Sequence, residues 1–375
     1  MPQPGVARIE EHFSGLSDPR RRTAVYPLVN VVTIAVCAVI CGADDFVAIA
    51  LWANTRRKWL ETFLDLSAGI PSHDRFNAIF AALKPAEFEK CLLSWITALH
   101  EITGGQVVAL DGKELRRSFD KASSKAAIQM VSAWATANHI SLGQVIVDAD
   151  SNEITAIPKL LEILELSGCL VTIDAIGCQT EIAQKIVDQK ADYVLAVKGN
   201  QPTLHDGIKR FFEEHLEDDF ARVKVSRHTT DEKGHGRVES RSYYVCAVPE
   251  NLPDRARWPK LRAIGVAISD TQREGRNSCQ VRYYILSQKL SARRFGATVR
   301  GHWGIENSLH WQLDVAFGED QSRLRQGHAD ANFSLLRRAA LSLLKNCRTR
   351  KVGVKNSRLA AAWDDDFLLQ VLCGT

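Results

Sequence analysis

No two of the nine cysteines are separated by two residues as a C-x-x-C pair, and most of them lie inside apolar runs. Zinc ribbons and thioredoxin-like redox sites use such pairs, and disulfide frameworks are typical of short secreted chains. These two classes are therefore not expected. We predict reduced cysteines that serve packing in a cytosolic protein.

Long apolar runs are also missing. The most apolar stretch, "LVNVVTIAVCAVICGA" at 28–43, is short for a bilayer and contains Asn30 and Thr33. The first residues, "MPQPGVARIEEHF", show no charged start leading into an apolar run, which a secretory signal would have. We predict a buried helix at 28–43, no membrane partner and a cytoplasmic location.

Basic residues outnumber acidic residues only in the second half of the chain. Residues 1–103 carry 10 basic and 11 acidic side chains, and 104–199 carry 9 and 12. Residues 200–300 carry 19 and 13, and 301–375 carry 10 and 8. This division suits a protein that binds a polyanion with one part and cations with another. A charge distribution without functional meaning is the alternative.

The first 103 residues have helical periodicity. Ser72 is placed to cap a helix, and Pro85 is placed to end that helix and begin another. The stretch "ITGGQ" at 102–106 then marks a boundary. We predict a helical N-terminal domain, 1–103.

Strand-like segments follow that boundary. They are "QVVALDG" (106–112), "MVSAWATA" (130–137), "SLGQVIVDA" (141–149), "CLVTIDA" (169–175) and "ADYVLAVKG" (191–199). The first three leave no room for helices between them, which predicts an antiparallel meander. Helices are predicted at 158–166, with Pro158 in the first position, and at 180–190. This order favours a ribonuclease-H-like sheet, with another mixed α/β fold as the alternative.

The predicted fold class is therefore α/β. A ribonuclease-H-like mixed sheet forms the core at 104–345, and a β-rich insertion at about 203–290 interrupts it. The N-terminal helical domain precedes this core, and a basic, helical tail at 346–375 follows it.

Two predicted strands end in an acid followed by a small residue. Asp111 lies in "VVALDGK" and Asp174 in "LVTIDAIG". In the predicted strand order these strands are neighbours, so the two carboxylates would repel unless a divalent cation lies between them. The alternative is that each aspartate only caps the turn or helix after it.

A third acid is found in "HWGIENSLHW", residues 302–311. As an α-helix this segment places His302, Glu306 and His310 on one face. Glu306 could complete a carboxylate site for Mg²⁺ or Mn²⁺. The alternative is a zinc site formed by Glu306 and the two histidines.

Four long stretches carry a resemblance to a known family: "LDGKELRRS" (110–118), "VTIDAIGCQTEIAQKIVDQKADYVLAVKGNQPTL" (171–204), "GHGRVESRSYYV" (234–245) and "RGHWGIENSLHWQLDVAFGEDQSRLR" (300–325). The chain resembles insertion-sequence transposases of the ISAs1 type, which include the H-repeat-associated proteins. "AVCAVICGADDF" and "GIPSHDRFNAIF" resemble the helical domain associated with them. The resemblance implies a DDE transposase whose metal-binding acids are Asp111, Asp174 and Glu306.

The sequence departs from the wider DDE group around the third acid. Members of that group carry a Tyr, Arg, Glu, Lys signature around this acid. In this chain, the Tyr, Arg and Lys positions are occupied by Val299, His302 and Leu313. Only Glu306 matches. His302, Arg300 or His310 would then have to hold the substrate phosphates.

Further residues are candidates for contact with DNA. Lys198, Asn200 and Gln201 follow the fifth strand, where they could bind phosphate or order the nearby loop. Trp303 and Trp311 could stack on an unpaired base, although packing in the core is the expected position of at least one. His235, Arg237 and Arg241 belong to the basic insertion, where alternate arginines share a strand face; the alternative is a solvated hairpin.

The expected function is Mg²⁺-dependent cleavage and strand transfer during DNA transposition. The expected partners are transposon ends, target DNA and a second copy of the chain, and the DNA-bound protein would be associated with the nucleoid. The alternatives are a structure-specific nuclease without strand transfer and a catalytically inactive DNA-binding remnant.

Overall fold

The computed structural model describes residues 4–20, 24–99, 106–115, 128–147, 152–234, 237–273 and 276–374. The first helices are α1 (Pro4–Phe13), α2 (Leu28–Ile40), α3 (Phe46–Thr55), α4 (Arg57–Leu60), α5 (His73–Ala82) and α6 (Pro85–Leu99). Helix α2 is buried along nearly its whole length, as its apolar sequence predicts. The Ser72 hydroxyl accepts a hydrogen bond from the Arg75 N–H at 3.3 Å, which confirms the predicted cap of α5.

In the described part of the chain, nine strands form one mixed sheet with the order β3-β2-β1-β4-β5-β9-β8-β7-β6. They are β1 (Val107–Leu115), β2 (Ile128–Ala135), β3 (Ile140–Val147), β4 (Leu170–Ile173), β5 (Asp192–Val197), β6 (Val225–Gly234), β7 (Arg237–Ala247), β8 (Ala263–Arg273) and β9 (Arg276–Leu286). The antiparallel meander β1–β3 is confirmed. Strand β4 lies parallel to β1 and β5 lies parallel to β4, so the ribonuclease-H-like order is also confirmed.

The helices between the strands differ in part from the predictions. They are α7 (Glu153–Ile163), α8 (Thr180–Asp188) and α9 (Pro202–Glu217). The prediction that a helix begins at Pro158 was wrong, because a capping box between Asn152 and Thr155 starts α7 earlier. Pro158 lies inside the helix, where its missing N–H removes one backbone hydrogen bond.

The β-rich insertion extends the sheet. Its first part, predicted to be β-like, is helix α9, and the four strands β6–β9 follow. Strand β9 pairs antiparallel with β5, so the insertion covers an edge that a five-stranded sheet would expose. The predicted β-rich content is therefore found in β6–β9, which extend the core sheet, and the bounds of the insertion stay a prediction.

The last part of the chain connects the sheet to the N-terminal helices. It contains α10 (Ala292–Ile305), a π-helical turn (Glu306–His310), α11 (Trp311–Phe317), α12 (Ala329–Asn346), α13 (Val354–Trp363) and α14 (Asp365–Cys373). Helix α12 is buried along most of its length and packs on α2, α5, α6 and β3. Helices α13 and α14 also contact α2. The C-terminal segment is therefore helical and packed against the N-terminal helices.

Among the described residues the nine cysteines form no disulfide, and seven of them are buried. Within the described ranges, no helix combines the length and the apolar character that crossing a membrane requires.

Candidate active site

Asp111 and Asp174 lie side by side at one edge of the parallel strand pair. Leu110 of β1 is in register with Ile173 at the end of β4, so the next residue of each chain segment is an aspartate. The Asp174 carboxylate also accepts a hydrogen bond from the Ile176 N–H at 3.1 Å. The aspartate therefore orders its own loop, as the capping alternative predicts, and also stands beside Asp111.

The environment of Asp111 disfavours a negative charge. Burial raises the pKa of its carboxyl to about 7, together with the nearby charges of Asp174, Glu153 and Glu306, although the Gly112 N–H acts in the opposite direction. In the free protein this carboxyl therefore titrates near neutral pH, whereas a cation between the acids would favour the charged form.

Glu153 is a fourth carboxylate that the sequence prediction missed. It begins α7, and its Oε1 lies so close to Gly112 that a Cβ atom at position 112 would be 2.1 Å away. Burial and the charge of Asp174 raise the pKa of Glu153 as well. Gly112, directly after Asp111, was the available signal that another side chain approaches β1 closely at this point. The helix start predicted at Pro158, however, left Glu153 outside the helix.

Glu306 is placed by a π-helical turn. The Trp311 N–H donates to the Glu306 carbonyl oxygen, five residues back, so the α-helix predicted over 302–311 is interrupted at this point. Such turns are frequent at functional sites, since one wide turn changes the direction of the side chains that follow. Glu306 is exposed, whereas His310 is buried, yet both line the same cavity.

The two histidines contact the residues around the acids. His310 Nδ1 lies 3.4 Å from Asp111 Oδ2, and His302 Nδ1 lies 3.2 Å from the Thr172 hydroxyl oxygen. Burial lowers the pKa of His310 to about 3 and that of His302 to about 4. Both imidazoles are therefore neutral at pH 7, so they can contact a phosphate through a hydrogen bond but not through a positive charge.

A cavity of about 380 Å³, called the acidic cavity below, contains Asp111, Asp174 and Glu306 in its lining. In the described part of the chain, no three His, Cys, Asp or Glu side chains stand close enough together to hold a metal ion. The three acids therefore share a cavity without forming a closed ligand set. The same finding applies to the zinc alternative, whose ligands would be His302, Glu306 and His310.

The acids nevertheless fit a hard divalent cation by their chemistry. Carboxylate oxygens are the ligands that Mg²⁺ and Mn²⁺ prefer, and after burial the charges of Asp174, Glu153 and Glu306 also raise the pKa of Asp111. Lys198 and Arg282 also line the acidic cavity, where their positive charges could contact a phosphate. Arg282 was not predicted from the sequence.

Two of the polar residues after β5 hold the loop that carries Asp174. The Asn200 side-chain amide donates to the Ala175 carbonyl oxygen at 2.6 Å, and that of Gln201 donates to the Cys178 carbonyl oxygen at 3.0 Å. They therefore order the nearby loop, which was one of the two roles expected. Lys198 has an exposed side chain at the cavity wall.

A second cavity of about 420 Å³, called the basic groove below, lies between strands β7–β9 and helix α10. Its lining includes Arg237, Arg241 and Arg300, so the two predicted strand arginines do share a face. His235 lies outside the described residues. The basic groove adjoins the acidic cavity, and the two share the lining residues Arg282, Tyr284, Val299 and Trp303.

Trp303 stands where the two cavities meet. Its side chain is 41% exposed, and the Arg282 guanidinium lies 4.3 Å from its ring centroid. Trp311 is 54% exposed. The expectation that at least one of these tryptophans packs in the core was therefore wrong, because both side chains lie at the surface.

A buried ion-pair network lies further along β1, on the strand face that also carries Asp111. Lys113 Nζ contacts Asp314 and also Glu319 Oε2, the latter at 2.9 Å. Arg338 Nη1 of α12 contacts the second oxygen of Glu319 at 2.9 Å, and the Ser334 hydroxyl donates to the same oxygen at 2.8 Å. The network therefore joins β1, the segment after α11, and α12.

Comparisons with known proteins agree with this architecture. Residues 102–343 match the family described as the transposase DDE domain, and residues 10–96 match the DDE_Tnp_1-associated family. The putative transposase YncI of Escherichia coli O157:H7 is 41% identical over 372 residues, which cover 98% of this chain and 95% of the relative. The H repeat-associated putative transposase YhhI of Escherichia coli strain K12 is 37% identical over 376 residues, 99% of each chain. The ISAs1 subtype is a finer assignment and stays a prediction. The chain belongs to the DDE transposase family.

Proposed function

We propose that the chain cleaves transposon DNA and joins its ends to a target in a reaction that depends on Mg²⁺ or Mn²⁺ held by Asp111, Asp174 and Glu306. The observation that carries this proposal is the register of β1 with β4. It brings two aspartates together at the edge of the sheet, and Glu306 lines the same cavity.

The acidic cavity suits in-line attack on a phosphodiester. A divalent cation bound there would polarise a phosphate oxygen and lower the pKa of an attacking water or 3′-hydroxyl. Lys198 and Arg282 would neutralise the remaining phosphate charge. The His310 imidazole, 3.4 Å from Asp111, would hold that carboxylate in its orientation through a hydrogen bond.

The proposed partners are the transposon ends, the target DNA and a second copy of this chain in a DNA-bound dimer. The protein would act in the cytoplasm and be associated with the nucleoid when bound to DNA. The helices of residues 4–99 are the proposed site of end recognition.

Cleavage assays with Asp111→Asn and Asp174→Asn test this proposal. The substrate contains the inverted repeats from the DNA that flanks the reading frame, and the reaction contains Mg²⁺ and a target plasmid. We expect cleavage to fall by about a thousandfold or more in each variant, because neither amide replaces a charged metal ligand. Asp231→Asn is the matched control, since Asp231 is exposed and lies outside the lining of both cavities. It should retain activity.

The products separate the alternatives. Joined products support a transposase, whereas cleavage without joining supports a nuclease. Salt-sensitive DNA binding without cleavage by the wild type supports an inactive remnant. Equal activity of the wild type and the two aspartate variants would contradict the proposal.

A further inference from the structure

Glu232 stands in the basic groove between two arginines from different elements. Both Glu232 oxygens accept hydrogen bonds from Arg300 of α10, and Arg300 Nη2 lies 3.1 Å from Oε2. Arg241 of β7 donates to the same Oε2 at 2.9 Å. The two guanidiniums therefore converge on a single anionic group, which belongs to the protein itself.

The strand register places a second glutamate next to the first. Glu232 of β6 lies directly opposite Glu239 of β7, an arrangement in which like charges repel. Arg241 contacts both carboxylates, since its Nη2 lies 2.6 Å from Glu239 Oε2. The Ser269 hydroxyl also donates to Glu239 at 3.1 Å. Glu239 is therefore fixed in the floor of the basic groove, whereas the hydrogen bonds of Glu232 among the described residues come from arginines.

The contacts of Glu232 have the geometry of a phosphate site. Arginine binds carboxylates and phosphates through the same forked pair of N–H groups. The neighbouring guanidiniums of Arg300 and Arg241 lower the pKa of Glu232 to about 2, so the carboxylate stays ionised. A DNA phosphate brings the same charge and the same acceptor oxygens.

Glu232 is also easy to displace. Its side chain is 46% exposed and that of Arg300 is 43% exposed, and ion pairs with this exposure contribute little to stability. A phosphate that replaces the carboxylate also releases counterions from the DNA, which favours the exchange.

We propose that Glu232 occupies the place of a DNA backbone phosphate and restrains DNA binding until that phosphate displaces it. The inference rests on the proposed function, because the basic groove leads into the acidic cavity past Arg282 and Trp303. A strand bound along this path would place one phosphate between Arg241 and Arg300 and another part of its backbone at the acids. Glu232 then sets how tightly the approaching strand is held.

Binding of a fluorescein-labelled duplex of about 30 base pairs, measured by anisotropy in EDTA, tests this inference. We expect Glu232→Gln to lower the Kd about fivefold, because the competing charge is removed while the shape of the side chain is kept. Asp231→Asn is the matched control. It removes the same charge from the adjacent residue, whose side chain points to the opposite face of the strand, so its Kd should stay within about twofold of the wild type.

Two further results decide the interpretation. Arg300→Gln should raise the Kd several-fold, because one side of the phosphate site is lost. If Glu232 only fastens the β6–β7 hairpin to α10, Glu232→Gln will bind DNA no better than Asp231→Asn, and the inference is overturned. Since no cleavage occurs in EDTA, that result leaves the proposed function intact. Absence of DNA binding by the wild type and by every variant would contradict both.

Discussion

Asp111 and Lys113 lie two residues apart on β1, on the same face of the strand, and their charges have different surroundings. Lys113 contacts Glu319, which Arg338 also contacts, so the buried charges on this side are balanced. Asp111 instead faces Asp174, Glu153 and Glu306, all of the same sign. One face of β1 therefore borders two clusters. In the cluster at Lys113 the charges are paired with opposite charges, and we call it the compensated cluster. In the cluster at Asp111 the neighbouring charges have the same sign, and we call it the uncompensated cluster.

The pKa values show the consequence of this difference. Burial alone would raise the pKa of Glu319, but the charges of Arg338, Lys113 and Arg337 hold it below its usual value. The pKa of Asp111 is raised to about 7. Buried charges that are paired within the protein stabilise one arrangement of the chain. Partly exposed charges of one sign leave room for a partner from outside, which is here proposed to be a divalent cation.

The largest expected effect comes from breaking the compensated cluster. Glu319→Ala leaves Lys113 and Arg338 buried without their partner, so we expect the free energy of unfolding to fall by about 3–5 kcal/mol in urea denaturation. Glu232→Ala is the control, because it removes a glutamate that also bridges two basic side chains but is half exposed. Its loss should be at most about 1 kcal/mol. Similar losses in both variants would show that burial does not distinguish the two clusters.

Relieving the uncompensated cluster should have a smaller effect of opposite sign. Asp111→Asn removes a charge that the neighbouring carboxylates repel. Without metal at pH 8, we therefore expect the free energy of unfolding to rise by about 1–3 kcal/mol. Destabilisation would instead support a purely structural capping role.

The gain should depend on pH. The pKa of Asp111 is raised in the folded state from 3.8 to about 7, so the fold favours the protonated form. The wild type therefore loses stability as pH rises from about 4 to 7, whereas Asp111→Asn lacks this loss. The difference between the two proteins should grow over that window, and a constant difference would contradict the assignment.

The smallest expected effect concerns the loop that carries Asp174. Asn200→Ala removes the hydrogen bond to the Ala175 carbonyl oxygen, which should lower the free energy of unfolding by about 0.5–1.5 kcal/mol and reduce cleavage. Lys198→Ala, which changes an exposed neighbour, should leave stability unchanged. If Asn200→Ala cleaves DNA as well as the wild type, the loop does not depend on this contact.

The strand order and the pairing of Asp111 with Asp174 could be predicted because apolar runs and turn residues fix the meander and the parallel neighbours. Glu153 was missed, since the side chain of Asn152 starts α7 before the proline that marked its expected beginning. The turn at Glu306 was also missed, because hydrogen bonds five residues apart leave no periodic signal. Charge pairs such as Lys113 with Glu319 join residues 206 positions apart, which local patterns do not reveal.

Binding of Mn²⁺ to the protein in the absence of DNA tests the central claim most directly. Titration followed by electron paramagnetic resonance at pH 8 should show saturable binding to the wild type that Mg²⁺ displaces. Asp111→Asn and Asp174→Asn should each weaken this binding by at least about tenfold, with the fold confirmed by circular dichroism. Equal Mn²⁺ binding by the wild type and both variants would contradict the claim that the acidic cavity holds the cation.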